Sequence, residues 1–263
     1  MTSSNLPLVS IVTPSYNQAR FLEFTIHSVL EQDYPNIEYI LVDGGSTDGS
    51  VDILQRYADR FAWWVSENDR GQTDAINKGF ARANGDILAW LNSDDTYEPH
   101  ALAEAVALLL SRPEVGLVYG DTNFIDENGC VIGRFPAAQT DYKRLRRGYV
   151  HIPQQASFWR ADLWRKVGPL DPSFYFAMDY DLWVRLAAHA PVQYTPRLWA
   201  NFRLHTQGKT IAADDRCWPE MLRVHYREGG SWFSSIQAKY YIRKAVGPLW
   251  RLRTQMRLRK SFK

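Results

Sequence analysis

Residues 8–50 read LVSIVTPSYNQARFLEFTIHSVLEQDYPNIEYILVDGGSTDGS. The apolar run at 8–13 contains Val9, Ile11 and Val12 and is stopped by Pro14 and the polar Ser15, Tyr16 and Asn17, so it reads as a buried strand. The period then changes. Over 19–31 the apolar residues Phe21, Phe24, Ile26, Val29 and Leu30 fall at helical spacing. A second apolar run, 37–42, is again strand-like. It ends at Asp43 and a glycine-rich turn, 44–50, that leads into a helix predicted over about 50–59.

Outward from this core the alternation continues, with a short strand near 62–65, a helix over 72–83, a strand over 86–91, a helix over 99–111 and a strand over 115–119. Strands alternating with helices at this spacing predict a parallel-rich, doubly wound α/β sheet. Such sheets bind ligands beyond the carboxyl ends of their strands. Three of these strands end in polar residues, at Thr13-Pro14-Ser15-Tyr16, Asp43-Gly44-Gly45 and Asn92-Ser93-Asp94-Asp95, which places three polar endings on one rim. The second half is less regular, with a long loop at 134–149 and a helix at 179–189 that would close the site.

The chain has 263 residues, enough for one large α/β domain or two small ones without disulfide support. Its 10 Trp and 14 Tyr suit sugar-stacking surfaces or a membrane-interface belt, although large aromatics more often fill a core. Cys130 and Cys217 are far apart and in no CxxC pair, so neither a disulfide framework nor a zinc cluster is expected, and a reducing compartment is the simplest home. Residues 1–7 carry no basic n-region or apolar h-region, and no uncharged apolar run reaches the roughly 18 residues that a membrane span needs. A cytoplasmic or peripheral protein is expected. The net charge of +2 hides an asymmetry: 239–263 holds nine Lys/Arg and no acid, leaving 22 bases against 29 acids in 1–238.

Chemistry concentrates at a few positions. The turn Gly44-Gly45-Ser46-Thr47-Asp48-Gly49 matches neither the dinucleotide nor the P-loop fingerprint, and helix capping accounts for most of it. Capping does not account for an acid at Asp43. For an arbitrary Asp-Asp pair, solvated turn residues would be the better reading. Asp94 and Asp95, however, end an apolar strand, where a hard divalent cation with oxygen ligands would relieve their repulsion. Asp179 and Asp181 open an amphipathic helix. The helix dipole explains one acid there, and a second invites a general-base role. His205, alone near a strand end, needs company before it reads as a ligand.

In order, the segment 9–54, then GQTDAINKGFARANGDILAWLNSDD (71–95), AMDYDLWVRLA (177–187) and FRLH (202–205), resembles the family 2 glycosyltransferases of the GT-A fold. Among these it looks most like bacterial enzymes of O-antigen, capsule or exopolysaccharide assembly. The resemblance spans about 8–210. It implies a Rossmann-like, mixed but mostly parallel sheet flanked by helices over 1–212, with 8–120 binding a nucleotide sugar and 121–212 serving the acceptor and catalysis. Residues 213–263 would be a basic helical extension. Asp95 is implied as the direct ligand of Mn²⁺ or Mg²⁺ and Asp94 as a ribose or second metal contact, with Asn92 where many relatives carry the first acid. His205 would complete the metal site, and an imidazole favours Mn²⁺ somewhat. Asp43 would read the base, usually uracil, with Thr13, Pro14 and Tyr16 lining the nucleoside pocket and Asp74 and Lys78 adding nucleotide contacts. Ile76 stands where the commoner pattern has an arginine. Asp179 would be the catalytic base, with Met178 in place of the preceding acid, and Gln154, Gln155 and Trp159 would lie near the sugar or acceptor.

The implied reaction is an inverting, metal-dependent transfer from a nucleoside diphosphate sugar, UDP-hexose or UDP-N-acetylhexosamine, to a glycan or lipid-linked hydroxyl. Residues 239–263 mix bases with Tyr, Trp and Leu and suit an anionic membrane surface, although a solvated or partner-docking helix is equally compatible and Gly247-Pro248 interrupts any long face. The acidic body speaks against nucleic acid. Two other classes stand beside this reading. A sugar-nucleotide pyrophosphorylase would need a Gly-rich, basic phosphate loop where Pro14-Ser15-Tyr16-Asn17 stands, and a carbohydrate-binding module would not need Asp94, Asp95, Asp179 and His205 together.

Overall fold

The computed structural model describes residues 6–206, 208, 209, 216–242 and 244. In chain order the elements are β1 (Val9–Ser15), α1 (Ala19–Leu30), β2 (Ile37–Asp43), α2 (Ser50–Arg56), β3 (Trp63–Ser66), α3 (Gln72–Phe80), β4 (Ile87–Trp90), β5 (Thr96–Tyr97), α4 (Ala101–Ser111), β6 (Leu117–Ile125), β7 (Val131–Arg134), α5 (Tyr142–Leu145), β8 (Ser157–Arg160), α6 (Ala161–Val167), α7 (Met178–Ala187), β9 (Val192–Arg203) and α8 (Cys217–Arg227). The expected boundaries of the first seven large elements agree with these to within a few residues. Residues 134–149, expected as loop, contain the short α5.

One nine-stranded sheet runs in the order β3-β2-β1-β4-β8-β6-β9-β5, with β7 hairpinned onto β6. Strands β3, β2, β1 and β4 are mutually parallel, and the register sets Ser15 beside Asp43 and Val12 beside Trp90. The three polar endings therefore do lie on one rim. Beyond β4 the sheet turns mixed: β8 is antiparallel to both β4 and β6, while β9 runs parallel to β6.

Alternate strand residues enter two cores, as the two-residue period of a strand requires. Val9, Ile11, Tyr39 and Leu41 face α1, α2 and α4. Val12, Ile40, Val42 and Trp90 face α3, α6 and α7. Each fully buried aliphatic contributes roughly 1.5–3 kcal/mol, which is why so apolar a run can afford polar residues at its end. Helix α3 sits so close that a Cβ on Gly79 would lie 2.4 Å from Val12 Cγ1, so Gly79 is there for close approach.

The aromatic excess is mainly core. Trp90, Trp159, Trp183 and Trp199 are all but inaccessible, and the first three pack with ring centroids 5.5–5.9 Å apart. This places Trp159 in the core and out of reach of a sugar or acceptor. Among the described residues the more exposed aromatics are Tyr16, Phe24, Tyr175, Trp232, Phe233 and Tyr241. Among the described residues no helix is long and apolar enough to cross a membrane.

Helix α8 packs on α7: Arg227 is ion-paired with the buried Asp181, and the Tyr142 hydroxyl donates to Glu228 at 2.9 Å. Of the basic stretch 239–263, all but 239–242 and 244 lies outside the described residues.

Candidate active site

A cavity of about 960 Å³ opens along the carboxyl-end rim. Of the residues singled out by sequence, Pro14, Tyr16, Asp94, Asp179 and His205 line it, as do Gln154 and Gln155. Thr13, Asp43, Asp74, Lys78 and Asp95 are not among its lining residues, and each has another partner.

Asp43 is fully buried, and both its oxygens are taken by the glycine turn and β3. Oδ2 accepts from Gly45 N (3.1 Å), Ser46 N (2.8 Å) and Ser66 Oγ (2.7 Å), and Oδ1 from Ser46 Oγ (2.6 Å). This explains why the strand must end in an acid, and it closes Asp43 off from a base in the cavity. Thr13 is buried against the Tyr39 hydroxyl at 3.1 Å. Asp74 is held by Arg70 at 3.0 Å, which keeps its carboxyl below the usual range, and Lys78 pairs with Glu67 at 2.6 Å.

The two adjacent acids separate sharply. Asp95 is 0% exposed; Oδ1 accepts from Arg203 N at 2.9 Å and Oδ2 from Asn92 Nδ2 at 3.4 Å. Burial, and then the neighbouring Asp94, push its carboxyl well above the ordinary carboxylate range. Asp94 faces the cavity, and its Oδ2 lies 2.9 Å from His205 Nε2. Arg203 brings these groups together from far along the chain: its backbone N–H reaches Asp95, its Nε donates to Asp94 O at 2.9 Å, and its guanidinium lies over Phe21. Two residues later His205 is fixed against the same Phe21 ring, 4.8 Å between centroids.

A carboxyl group and an imidazole side by side on a cavity wall are a donor set that fits a divalent cation. No third His, Cys, Asp or Glu joins them among the described residues, so the remaining ligands of such an ion would come from substrate and water.

A polar chain crosses the cavity floor. Gln154 Oε1 accepts from Asn92 Nδ2 at 3.1 Å, Asn92 Oδ1 accepts from Gln72 Nε2 at 2.7 Å, and Gln72 Oε1 accepts from Lys209 Nζ at 3.0 Å. Asn92 thus both donates and accepts, which an ionised acid at this position could not do. Lys209 lies 3.9 Å over the Tyr175 ring, and burial pushes it down to about 8 although Asp179 and Glu220 pull it up.

The two acids of α7 also separate. Asp181 is buried between Arg185 and Arg227. Asp179 lines the cavity, and burial raises its carboxyl against the opposing effects of its backbone hydrogen bond to Tyr180 N and the charge of Lys209. Glu220 of α8 holds the start of this helix, accepting from the backbone N–H of Tyr175, Phe176 and Ala177 at 2.7–3.0 Å. Met178 is buried, with its sulfur 2.9 Å from Thr73 Oγ1.

The glycosyl transferase family 2 model matches residues 10–178. The chain belongs to this family. A glycosyltransferase of Mycobacterium tuberculosis of uncharacterised specificity is 36% identical over 190 residues, 71% of each chain. Among solved structures, Staphylococcus aureus TarS (residues 1–349) in complex with UDP-GlcNAc superposes with a TM-score of 0.69 at 16% identity, over 89% of this chain and 71% of that one. The mannosyltransferase PcManGT of Pyrobaculum calidifontis, in complex with GDP-mannose and Mn²⁺, gives 0.66 at 22% identity, over 90% and 70%. These likenesses fix the GT-A fold.

In this family 2 glycosyltransferase, sequence reasoning missed four groups that the fold brings to the cavity or beside it: Asp69, Gln72, Lys209 and Arg203. Arg203 sits inside the FRLH segment and was within reach of the resemblance. Lys209 and Gln72 carry no signal of their own, since they meet only across 137 residues.

Proposed function

We propose that this glycosyltransferase moves a hexose or N-acetylhexosamine, with inversion, from a UDP-sugar to a hydroxyl of a glycan or lipid-linked acceptor in cell-surface polysaccharide synthesis, assisted by Mn²⁺ or Mg²⁺. The observation that carries this reading is one cavity lined by a carboxylate–imidazole pair, Asp94 and His205, and by a separate carboxylate, Asp179. UDP-GlcNAc in TarS and GDP-mannose with Mn²⁺ in PcManGT support the donor class and the metal.

In this proposal Asp94 and His205 hold the ion, and Asp95 keeps the loop and β9 in register. When bound, the ion supplies Lewis-acid neutralisation of the charge that builds on the departing diphosphate. Asp179 accepts the proton of the acceptor hydroxyl as its oxygen bonds to the anomeric carbon. The anomeric carbon–phosphate oxygen bond breaks on the opposite face, and UDP leaves with the bonding pair. Lys209, fixed by Gln72 and Tyr175, adds a cation to the same cavity. The peripheral membrane setting at the inner face is supported by the nine bases of 239–263 and by the exposed Trp232 and Phe233.

Release of UDP from UDP-glucose, UDP-galactose and their N-acetylated counterparts, measured on the full chain with Mn²⁺ and with chelator, tests the reading. Slow metal-dependent hydrolysis without acceptor is expected with at least one donor. Formation of UTP from pyrophosphate and UDP-sugar would instead establish the pyrophosphorylase reading, and stabilisation by GDP alone would overturn the uridine donor.

A further inference from the structure

With Asp43 sealed into its turn, the cavity still holds one acid without an assigned task. Asp69, in the loop between β3 and α3, lines the cavity and is partly exposed. Its Oδ1 accepts from Gly71 N at 2.7 Å, which fixes the side chain. Its Oδ2 lies over Gly44, where an added Cβ would stand only 2.7 Å away. Gly44 does not have a positive φ. The missing side chain is therefore a matter of space, and Asp69 occupies the space.

Gly44 follows β2, Pro14 and Tyr16 belong to the end of β1 and the residue after it, and Asp69 lies just past β3, so the three come from adjacent parallel strands on one side of Asp94. Tyr16 is 62% exposed and lines the cavity, so its aromatic ring is available to a ligand there. A face for stacking and a carboxylate at the edge are what a nucleobase requires. Resting on the nucleotide-sugar reading, we infer that Asp69 is the acid that reads the base, accepting the ring N–H of uracil at Oδ2. A carboxylate only accepts hydrogen bonds. Uracil presents a donor at N3 and cytosine an acceptor there, so Asp69 selects uridine over cytidine nucleotides.

Calorimetric titration of UDP and CDP into the full chain tests this without requiring turnover. Wild type is expected to bind UDP at least about tenfold more tightly than CDP, as a hydrogen bond to a charged group allows. Asp69→Asn keeps the shape and the Oδ1 contact to Gly71 but presents an N–H donor in place of Oδ2. It should lose about tenfold in UDP affinity and bring the UDP/CDP ratio close to one. Gly44→Ala leaves the charge in place but displaces the carboxylate, and the same loss is expected, which covers the case in which Asp69→Asn fails to fold. If both variants keep the wild-type ratio, whether affinity is unchanged or falls equally for both nucleotides, the inference is overturned and the nucleotide-sugar reading stands. A wild-type chain that binds none of UDP, CDP, GDP or dTDP overturns that reading and the inference with it.

Discussion

Asp94 and Asp95 are neighbours with the same chemistry, and the difference between them lies wholly in what surrounds each. Asp95 is buried and bridges two segments 108 residues apart through Arg203 N. Asp95→Ala leaves that buried N–H short of an acceptor, at about 1–3 kcal/mol. A drop of several degrees in melting temperature is expected. Asp94→Ala should cost less than this, because it also removes the neighbour that repels Asp95, yet lower kcat by at least about 100-fold. Thermal melts and UDP release on the two variants check this; an Asp94→Ala chain with near-normal turnover would remove it from the proposed metal site. Asp179 carries a pH signature. Its carboxyl is raised by burial, so as a base it should lose activity, as pH falls, above the ordinary carboxylate range near 4. The linkage sign is opposite for stability. A raised carboxyl favours the neutral folded form, a contribution fully present below the unfolded pKa and lost as pH rises through the folded value. Asp179→Asn should therefore melt no lower than wild type at pH 7 while losing about 10²–10⁴ in kcat. In the sequence Asp-Asp and Asp-Tyr-Asp present equal residues, so only the family resemblance set Asp179 apart from Asp181, and it gave the direct metal contact to Asp95. The partners drawn from Arg203, Arg185 and Arg227 separate them.

At the scale of elements, β1, α1, β2 and α3 were legible because each has one dominant period and ends at glycine, proline or an acid. Strands β8 and β9 were not. β8 is four residues long, and β9 interrupts its pattern with Pro196 and Arg197. The polar second half of β6, with Asp121, Thr122 and Asn123, is strand because β9 and β7 pair with it. Helix α8 shows how a remote element acts on the site. Through Glu220 it satisfies three backbone donors immediately before α7, whose first turn carries Asp179. Such N–H groups have no partner within the helix itself. Glu220→Ala should free this end, reducing kcat by roughly tenfold with a smaller change in donor KM, since a slight misplacement of a base is costly. Glu220→Gln, which keeps one acceptor oxygen, should recover part of the loss. Equal kcat in all three chains would show that α8 is only a packing element.

For the whole molecule, charge is the feature that folding does not absorb. The body over 1–238 is acidic, and nine bases follow without an acid. Just before them, Trp232 is 69% and Phe233 fully exposed, with Tyr241 and Ile242 also more than half exposed. Water does not favour such a group of large apolar side chains, and a lipid interface does. The segment that carries them packs beside the site: Lys239 Nζ lies 4.6 Å over the Tyr149 ring, and Val150, the next residue, lines the cavity. A membrane contact here would hold the cavity near a lipid-linked acceptor. Bases near an anionic surface contribute at most about 1 kcal/mol each, and salt screens that attraction, whereas burial of Trp and Phe persists in salt. Co-sedimentation with vesicles containing phosphatidylglycerol should therefore recover the full chain at low salt and less of it at 0.5 M NaCl. A chain ending at Ala238 should lose most of the recovery, and Trp232→Ala with Phe233→Ala should lose the part that resists salt. Equal recovery of the full and shortened chains would mean that the basic segment serves a protein partner or solvent.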